Sequence, residues 1–224
     1  AGCNQAFAAA MMAIGKAGDN VIVPVPYFFN HTMWLGMLGI EARTISGLGQ
    51  PDPAEAAKLI DERTRAIVLC SPNNPTGAIY PPEVIAAFFE LAKSRGIALV
   101  IDETYKDFRA GDAPAHPIFA TPGWEDAFIH LYSFSKAYRL TGHRVGAIVA
   151  SPQRLAEVEK FLDTVAICPS QLGQIGALWG MRNLAQWVAG ERDEILARRM
   201  AMTGGFAALP DWRLLGCGAY FAYV

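Results

Sequence analysis

The chain holds 224 residues, 52% of them hydrophobic and 18% charged, with a formal net charge of −2. That length and apolar content can bury a sizeable core, as one large domain or two small ones. The charge balance gives no basic footprint for nucleic acid and no Lys/Arg cluster for an anionic membrane, and no apolar run is long enough to span a bilayer.

The chain opens with Ala-Gly-Cys-Asn-Gln, without Met or a signal-peptide pattern, and runs straight into a helix expected over Gly2–Lys16. Gly15 and Gly18 mark its stop. A β-branched strand follows at Asn20–Pro24. A Pro-Tyr turn then leads into a helix near Asn30–Leu38, and a second strand is expected at Gly39–Ile45. Pro53–Asp61 reads as a helix with Asp52 as its N-cap. Ala66–Cys70 is a third strand, ending in the turn-rich Ser71-Pro-Asn-Asn-Pro-Thr-Gly77.

Pro82–Ser94 has the pattern of an amphipathic helix. Ile97–Ile101 is a fourth strand running directly into Asp102-Glu103-Thr104-Tyr105. Ala127–Tyr132 and Val145–Ala150 read as the fifth and sixth strands. Helices are expected over Pro152–Val165, Gln171–Ala189 and Glu191–Gly204, and Trp212–Val224 turns strand-like. The chain stops inside that run, so it reads as a fragment with sequence missing at both ends.

Most of these strands are continuous apolar runs, which marks a sheet covered on both faces. Their alternation with helices predicts an α/β fold, a three-layer αβα arrangement around a mainly parallel sheet. In such sheets ligands sit beyond the carboxyl ends of the strands. The polar clusters Ser71–Gly77, Asp102–Tyr105 and Ser133–Lys136 all follow such ends.

Lys136 stands out among the six lysines. It lies just past a buried strand, after two hydroxyls in Ser133-Phe-Ser135-Lys136. A desolvated amine there can act as a nucleophile toward a carbonyl. Asp102 ends a buried strand, where a carboxylate is costly without a cation. Glu103 follows it, and alternation along a strand points only one of the two at the site. Asn74 offers an amide and Tyr105 a phenol. Gly2-Cys3-Asn4 opens a helix whose free N–H groups suit an anion. Arg144, Ser133 and Ser135 can join it around a phosphate dianion. Phe28 is a candidate flat lid over a planar ring.

The four cysteines (Cys3, Cys70, Cys168, Cys217) show neither CxxC nor a disulfide framework, which fits free thiols in a reducing cytoplasm. The four histidines form no ligand pattern, so no metal site is expected.

Asn74-Pro-Thr-Gly77, Asp102-x-x-Tyr105, and Ser133-x-Ser-Lys136 followed by Arg144-x-Gly146 together resemble the class I/II aminotransferases. These are pyridoxal-phosphate enzymes of the aspartate aminotransferase fold (fold type I). The resemblance implies a seven-stranded sheet, a cofactor-binding large domain over residues 1–205, and the beginning of a smaller domain over 206–224. It implies a homodimer in the cytoplasm acting on an amino acid and a 2-oxo acid. Lys136 would hold pyridoxal phosphate as an aldimine, and Asp102 would pair with its pyridine nitrogen. Asn74 and Tyr105 would bond the ring oxygen. The backbone N–H groups of Cys3 and Asn4, with Ser133, Ser135 and Arg144, would hold the phosphate, and Phe28 would stack on the ring. The arginine that clamps the substrate carboxylate in relatives would lie beyond Val224.

Other readings remain. Ser133-x-x-Lys136 also matches the S-x-x-K of serine hydrolases, but the SDN and KTG partners are absent. A β-lyase or decarboxylase could use the same cofactor site. An aminotransferase-like effector domain of a transcription regulator would bind the cofactor without turnover.

Overall fold

The computed structural model describes residues 1–224. The apolar runs become strands: β1 (Asn20–Val25), β2 (Glu41–Ser46), β3 (Thr64–Cys70), β4 (Ala98–Asp102), β5 (Phe128–Ser133) and β6 (Gly146–Val149). They form one sheet in the order β2-β1-β3-β4-β5-β6. All neighbours are parallel except β5 and β6, which pair antiparallel. β4 and β5 are buried at every position, as strands covered on both faces must be.

Alternation along the strands divides the core in two. Ile67, Leu69, Leu99, Ile101 and Phe128 point to one face. There they meet Ile85, Phe88, Phe89 and Ala92, a stripe at helical spacing on α4 (Pro82–Ser94). Ala66, Val68, Val100, Ile129 and Leu131 point to the other face. There they meet Ala6, Phe7, Ala10 and Met11 of α1 (Gly2–Ile14), together with Leu35 of α2 (Phe29–Met37). Each fully buried Phe or Leu contributes about 1.5–3 kcal/mol over leaving it in water. α3 (Pro53–Leu59) starts at Asp52, whose carboxylate accepts the Ala54 N–H at 2.8 Å. α5 (Pro152–Val165) packs on α1.

Three expectations change. The sheet has six strands, one fewer than expected. The strand-like tail, Trp212–Val224, instead folds on itself as the hairpin β7 (Gly216–Gly218) and β8 (Phe221–Tyr223). It turns through Ala219, at φ 45°. The third change is the helix break, placed by sequence at Gly190. It falls instead at Leu184, between α6 (Gln171–Asn183) and α7 (Ala185–Ala207). One glycine costs a helix only about 1 kcal/mol, too little to interrupt a long one. α7 also carries the supporting pair Glu194–Arg198, four residues apart at 2.8 Å.

The hairpin sits directly on the loop after β3. Gly77 (φ 70°) and Gly218 approach so closely that a Cβ on either would overlap the other's backbone. Backbone contact of this kind needs glycine on both sides. No helix is long and apolar enough to cross a membrane.

Candidate active site

Chain order along the sheet reverses between β1 and β3, which leaves a crevice beyond their carboxyl ends. A cavity of about 210 Å³ lies in this region. All the residues selected from sequence line it: Cys3, Asn4, Phe28, Asn74, Asp102, Tyr105, Ser133, Ser135, Lys136 and Arg144. They come from the start of α1 and from the ends of β1, β3, β4 and β5, so only the folded sheet brings them together.

The floor is Asp102, 4% exposed at the last position of β4. Its Oδ2 lies 3.2 Å from His31 Nε2, and its Oδ1 accepts the Thr104 N–H at 3.0 Å. Burial opposes its ionisation, but His31 and Thr104 outweigh burial and hold the carboxyl below the usual carboxylate range. The partner of the buried carboxylate is therefore His31, which sequence reasoning missed. It sits in the first turn of α2, three residues after Phe28, the residue at the helix N-cap. The His31 ring stacks on Phe7 at 4.3 Å and meets Phe28 edge-on at 5.3 Å.

Glu103 points to the opposite side of the sheet, as strand alternation requires. It lies 2.9 Å from His130 Nε2, outside this cavity. Lys136 is half-buried in the turn that follows β5, its Nζ 5.9 Å from the centre of the Tyr105 ring. Burial, and then the Tyr220 phenol, push the Tyr105 hydroxyl well above its usual range, so it stays a protonated donor. Burial, with the Asp102 charge nearby, does the same to the Cys3 thiol.

The far end of the cavity is built for an anion. α1 begins at Gly2 with no side-chain cap, so its first N–H groups have no side-chain partner. Arg144 lies over that end, its Nη1 3.0 Å from Thr141 O and 3.4 Å from Ser135 Oγ. Its Nη2 is 3.3 Å from Ala1 O. A Cβ on Gly2 would overlap the Arg144 guanidinium. A Cβ on Gly146 would come within 2.9 Å of Cys3 N. The two glycines thus keep the cradle open. Ser133 Oγ accepts the Ser135 N–H at 3.2 Å, which shapes the turn carrying Lys136.

The loop after β3 is stiffened by Asn73, which was not singled out from sequence. Its side-chain oxygen accepts the Thr76 N–H at 3.1 Å and the Thr76 hydroxyl at 2.9 Å. Asn74 is thereby left facing the cavity. Cys70, Thr104 and Thr141 complete the lining, and sequence carried no separate signal for them.

The pocket presents an amine, an ionised carboxylate, two neutral hydrogen-bonding groups and an anion cradle. The family model for aminotransferase class I and II matches residues 1–224. A putative aminotransferase, YugH, of Bacillus subtilis is 31% identical, over 81% of this chain and 48% of its own length. A probable aspartate/prephenate aminotransferase of Aquifex aeolicus is 33% identical, over 82% of this chain and 48% of its own. Among solved structures, Thermus thermophilus aspartate aminotransferase (single mutant) superposes with a TM-score of 0.89 at 27% identity. That match covers 99% of this chain and 58% of the other. The aromatic aminotransferase of Pyrococcus horikoshii gives 0.90 at 25% identity, over 99% and 60%. The chain spans about half the length of the curated relatives it matches. The sequence and fold together make this chain a member of the class I and II aminotransferase family.

Proposed function

We propose that the cavity binds pyridoxal phosphate and that the protein transfers an amino group from an L-amino acid to a 2-oxo acid. One observation carries the reading. Lys136, Asp102 with its partner His31 behind it, and Arg144 over the start of α1 meet at one cavity. The cofactor of this family supplies an electron sink for the charge left at Cα.

This chain's residues would do the rest. Arg144, Ser133, Ser135 and the N–H groups of Cys3 and Asn4 would fix the phosphate. Asp102, kept ionised by His31, would hold a proton on the pyridine nitrogen. Tyr105 and Asn74 would hydrogen-bond the ring oxygen, and Phe28 would cover one ring face. The Lys136 amine would link to the cofactor's carbonyl carbon. Once displaced by substrate, it would take the proton from substrate Cα and return it to the neighbouring cofactor carbon. We place the cofactor-binding domain at residues 1–205 and the start of a second domain at 206–224.

Titration with pyridoxal phosphate tests this. A visible absorbance band is expected in the wild type and its loss in Lys136→Ala. A band retained in that variant removes the central claim. Product analysis with a panel of amino acids and one 2-oxo acid then checks the reaction. Release of ammonia or carbon dioxide in place of amino transfer would reassign the chemistry.

A further inference from the structure

The β7–β8 hairpin pairs with no strand of the main sheet. Its strands are three residues each, and a two-stranded hairpin is marginal on its own. Its order comes from what it rests on, which includes the segments that carry Asn74 and Tyr105.

The contact with the first segment is backbone on backbone. A Cβ on Gly216 would overlap Thr76 O, and one on Gly218 would overlap Gly77 O. The hairpin thus lies against the loop whose Asn73–Thr76 bonds leave Asn74 facing the cavity. The contact with the second is side chain on side chain. The Tyr105 ring centre lies 5.0 Å from that of Phe221 and 5.4 Å from that of Tyr220, each pair at 87°. Tyr220 also meets the Phe108 ring at 5.6 Å. Edge-to-face pairs at these spacings are a favoured aromatic geometry. Tyr105 belongs to neither of the two large cores. Its small cluster is Phe108, Ala137 and Ala219, with Phe221 packed against it.

The tip of the hairpin is strained. Ala219 holds φ 45°, a left-handed conformation that a residue with a Cβ rarely adopts. Such a conformation persists only where its surroundings over-determine it, and Ala219 is 5% exposed inside the Tyr105 cluster. The turn it makes brings the next two residues, Tyr220 and Phe221, onto Tyr105. Tyr220 is 48% exposed, so its ring touches Tyr105 without being sealed in the cluster.

We propose that Tyr220 is a positioning residue for Tyr105: the hairpin tip keeps the Tyr105 phenol turned into the cavity, toward the ring oxygen of the cofactor. This rests on the cofactor reading proposed above. Tyr220 does not line the cavity, so it acts through Tyr105 and not on the cofactor. A hydrogen-bond donor at the ring oxygen favours the ionised form of that oxygen. Losing the donor, or letting it swing away, therefore raises the pH at which the visible band of the bound cofactor changes.

Two readouts on the full chain test this. Without cofactor, hydrogen exchange of amides 104–108 reports how firmly the Tyr105 segment is held. Exchange should quicken by about tenfold in Tyr220→Ala, the scale of two lost aromatic contacts, and stay near wild type in Tyr220→Phe, which keeps the ring. With pyridoxal phosphate bound, the pH midpoint of the band is measured. Tyr105→Phe should raise it by about one unit, the scale of one hydrogen bond to a charged oxygen. Tyr220→Ala should raise it too, and Tyr220→Phe should leave it unchanged. The double variant, Tyr105→Phe with Tyr220→Ala, should match Tyr105→Phe alone. Should Tyr220→Ala fail to fold, Tyr220→Leu, which keeps apolar bulk without the ring, takes its place with the same expectations. Additive shifts in the double variant would mean that Tyr220 acts on the cofactor directly, and would overturn the proposal. So would a midpoint or an exchange rate that Tyr220→Ala leaves unchanged. A band absent from the wild type fails the cofactor reading and the proposal with it, whereas a normal band with Tyr220→Ala unchanged fails the proposal alone.

Discussion

Replacing His31 by alanine removes the partner of a buried carboxylate and leaves the carboxylate in place. His31 is 2% exposed and Asp102 4%, so water cannot readily replace the lost bond. Leaving a buried charged group without its hydrogen-bond partner costs about 1–3 kcal/mol or more, and the lost stack on Phe7 adds about 0.5–1.5 kcal/mol. The cost depends on pH in a defined direction. In the wild type the folded Asp102 carboxyl sits below its ordinary value. Its stabilising contribution is therefore present above the unfolded value, about 3.9, and fades as pH falls through the folded one. Without His31, burial dominates and the folded value rises above the unfolded one. Asp102 then destabilises the variant at neutral pH, and that penalty vanishes once it is protonated. The stability gap between wild type and His31→Ala should thus be widest near neutrality and narrow in acid. Urea denaturation of wild type, His31→Ala, Asp102→Asn and the double variant measures it at each pH. A coupling of about 1.5–3 kcal/mol is expected at neutral pH. A coupling below about 0.5 kcal/mol, or a gap that widens in acid, refutes the reasoning. His31→Gln keeps a donor and should recover part of the loss.

Arg144→Ala should weaken binding of pyridoxal phosphate by about tenfold or more, with inorganic phosphate losing its ability to compete. Unchanged competition would remove the anion cradle from the account. Gly77→Ala places a Cβ against the hairpin backbone at φ 70°. It should cost about 2–4 kcal/mol in denaturant unfolding, from left-handed strain plus overpacking. A loss under about 1 kcal/mol would mean that the hairpin lifts off freely.

Much of this molecule was legible because its signals are local. The apolar runs gave every sheet strand to within a few residues, and Asp52 gave a helix start. The cavity residues were legible for a different reason: each polar cluster directly follows a strand, and a parallel sheet gathers such ends on one edge. What sequence could not supply depended on distance along the chain. His31 is 71 residues from Asp102, and its pairing exists only because α2 packs over the crevice. The Gly77–Gly218 contact joins the loop after β3 to a hairpin near the chain end. The tail looked like a strand because its side chains suit one. Whether it joins the sheet or folds on itself is decided by Gly216, Gly218 and the turn at Ala219. The His116–Glu103–His130 cluster was invisible for the same reason, since its members come from a loop, the end of β4 and β5.

The end of β4 anchors the cavity from both faces of the sheet. Two adjacent carboxylates are buried there, and neither could stay ionised unaided. Alternation sends Asp102 to one side and Glu103 to the other, and each meets histidine from a different part of the chain. His31 comes from α2, His130 from β5 and His116 from the loop after β4. The strand end is therefore held from both faces, and the following backbone inherits that placement. Thr104 N–H bonds Asp102, while the Lys106 N–H bonds the Glu103 carbonyl at 3.0 Å. Tyr105 lies between those two anchors, which sets its ring beside Lys136. A change at Glu103 should on this argument reach the cavity through Tyr105.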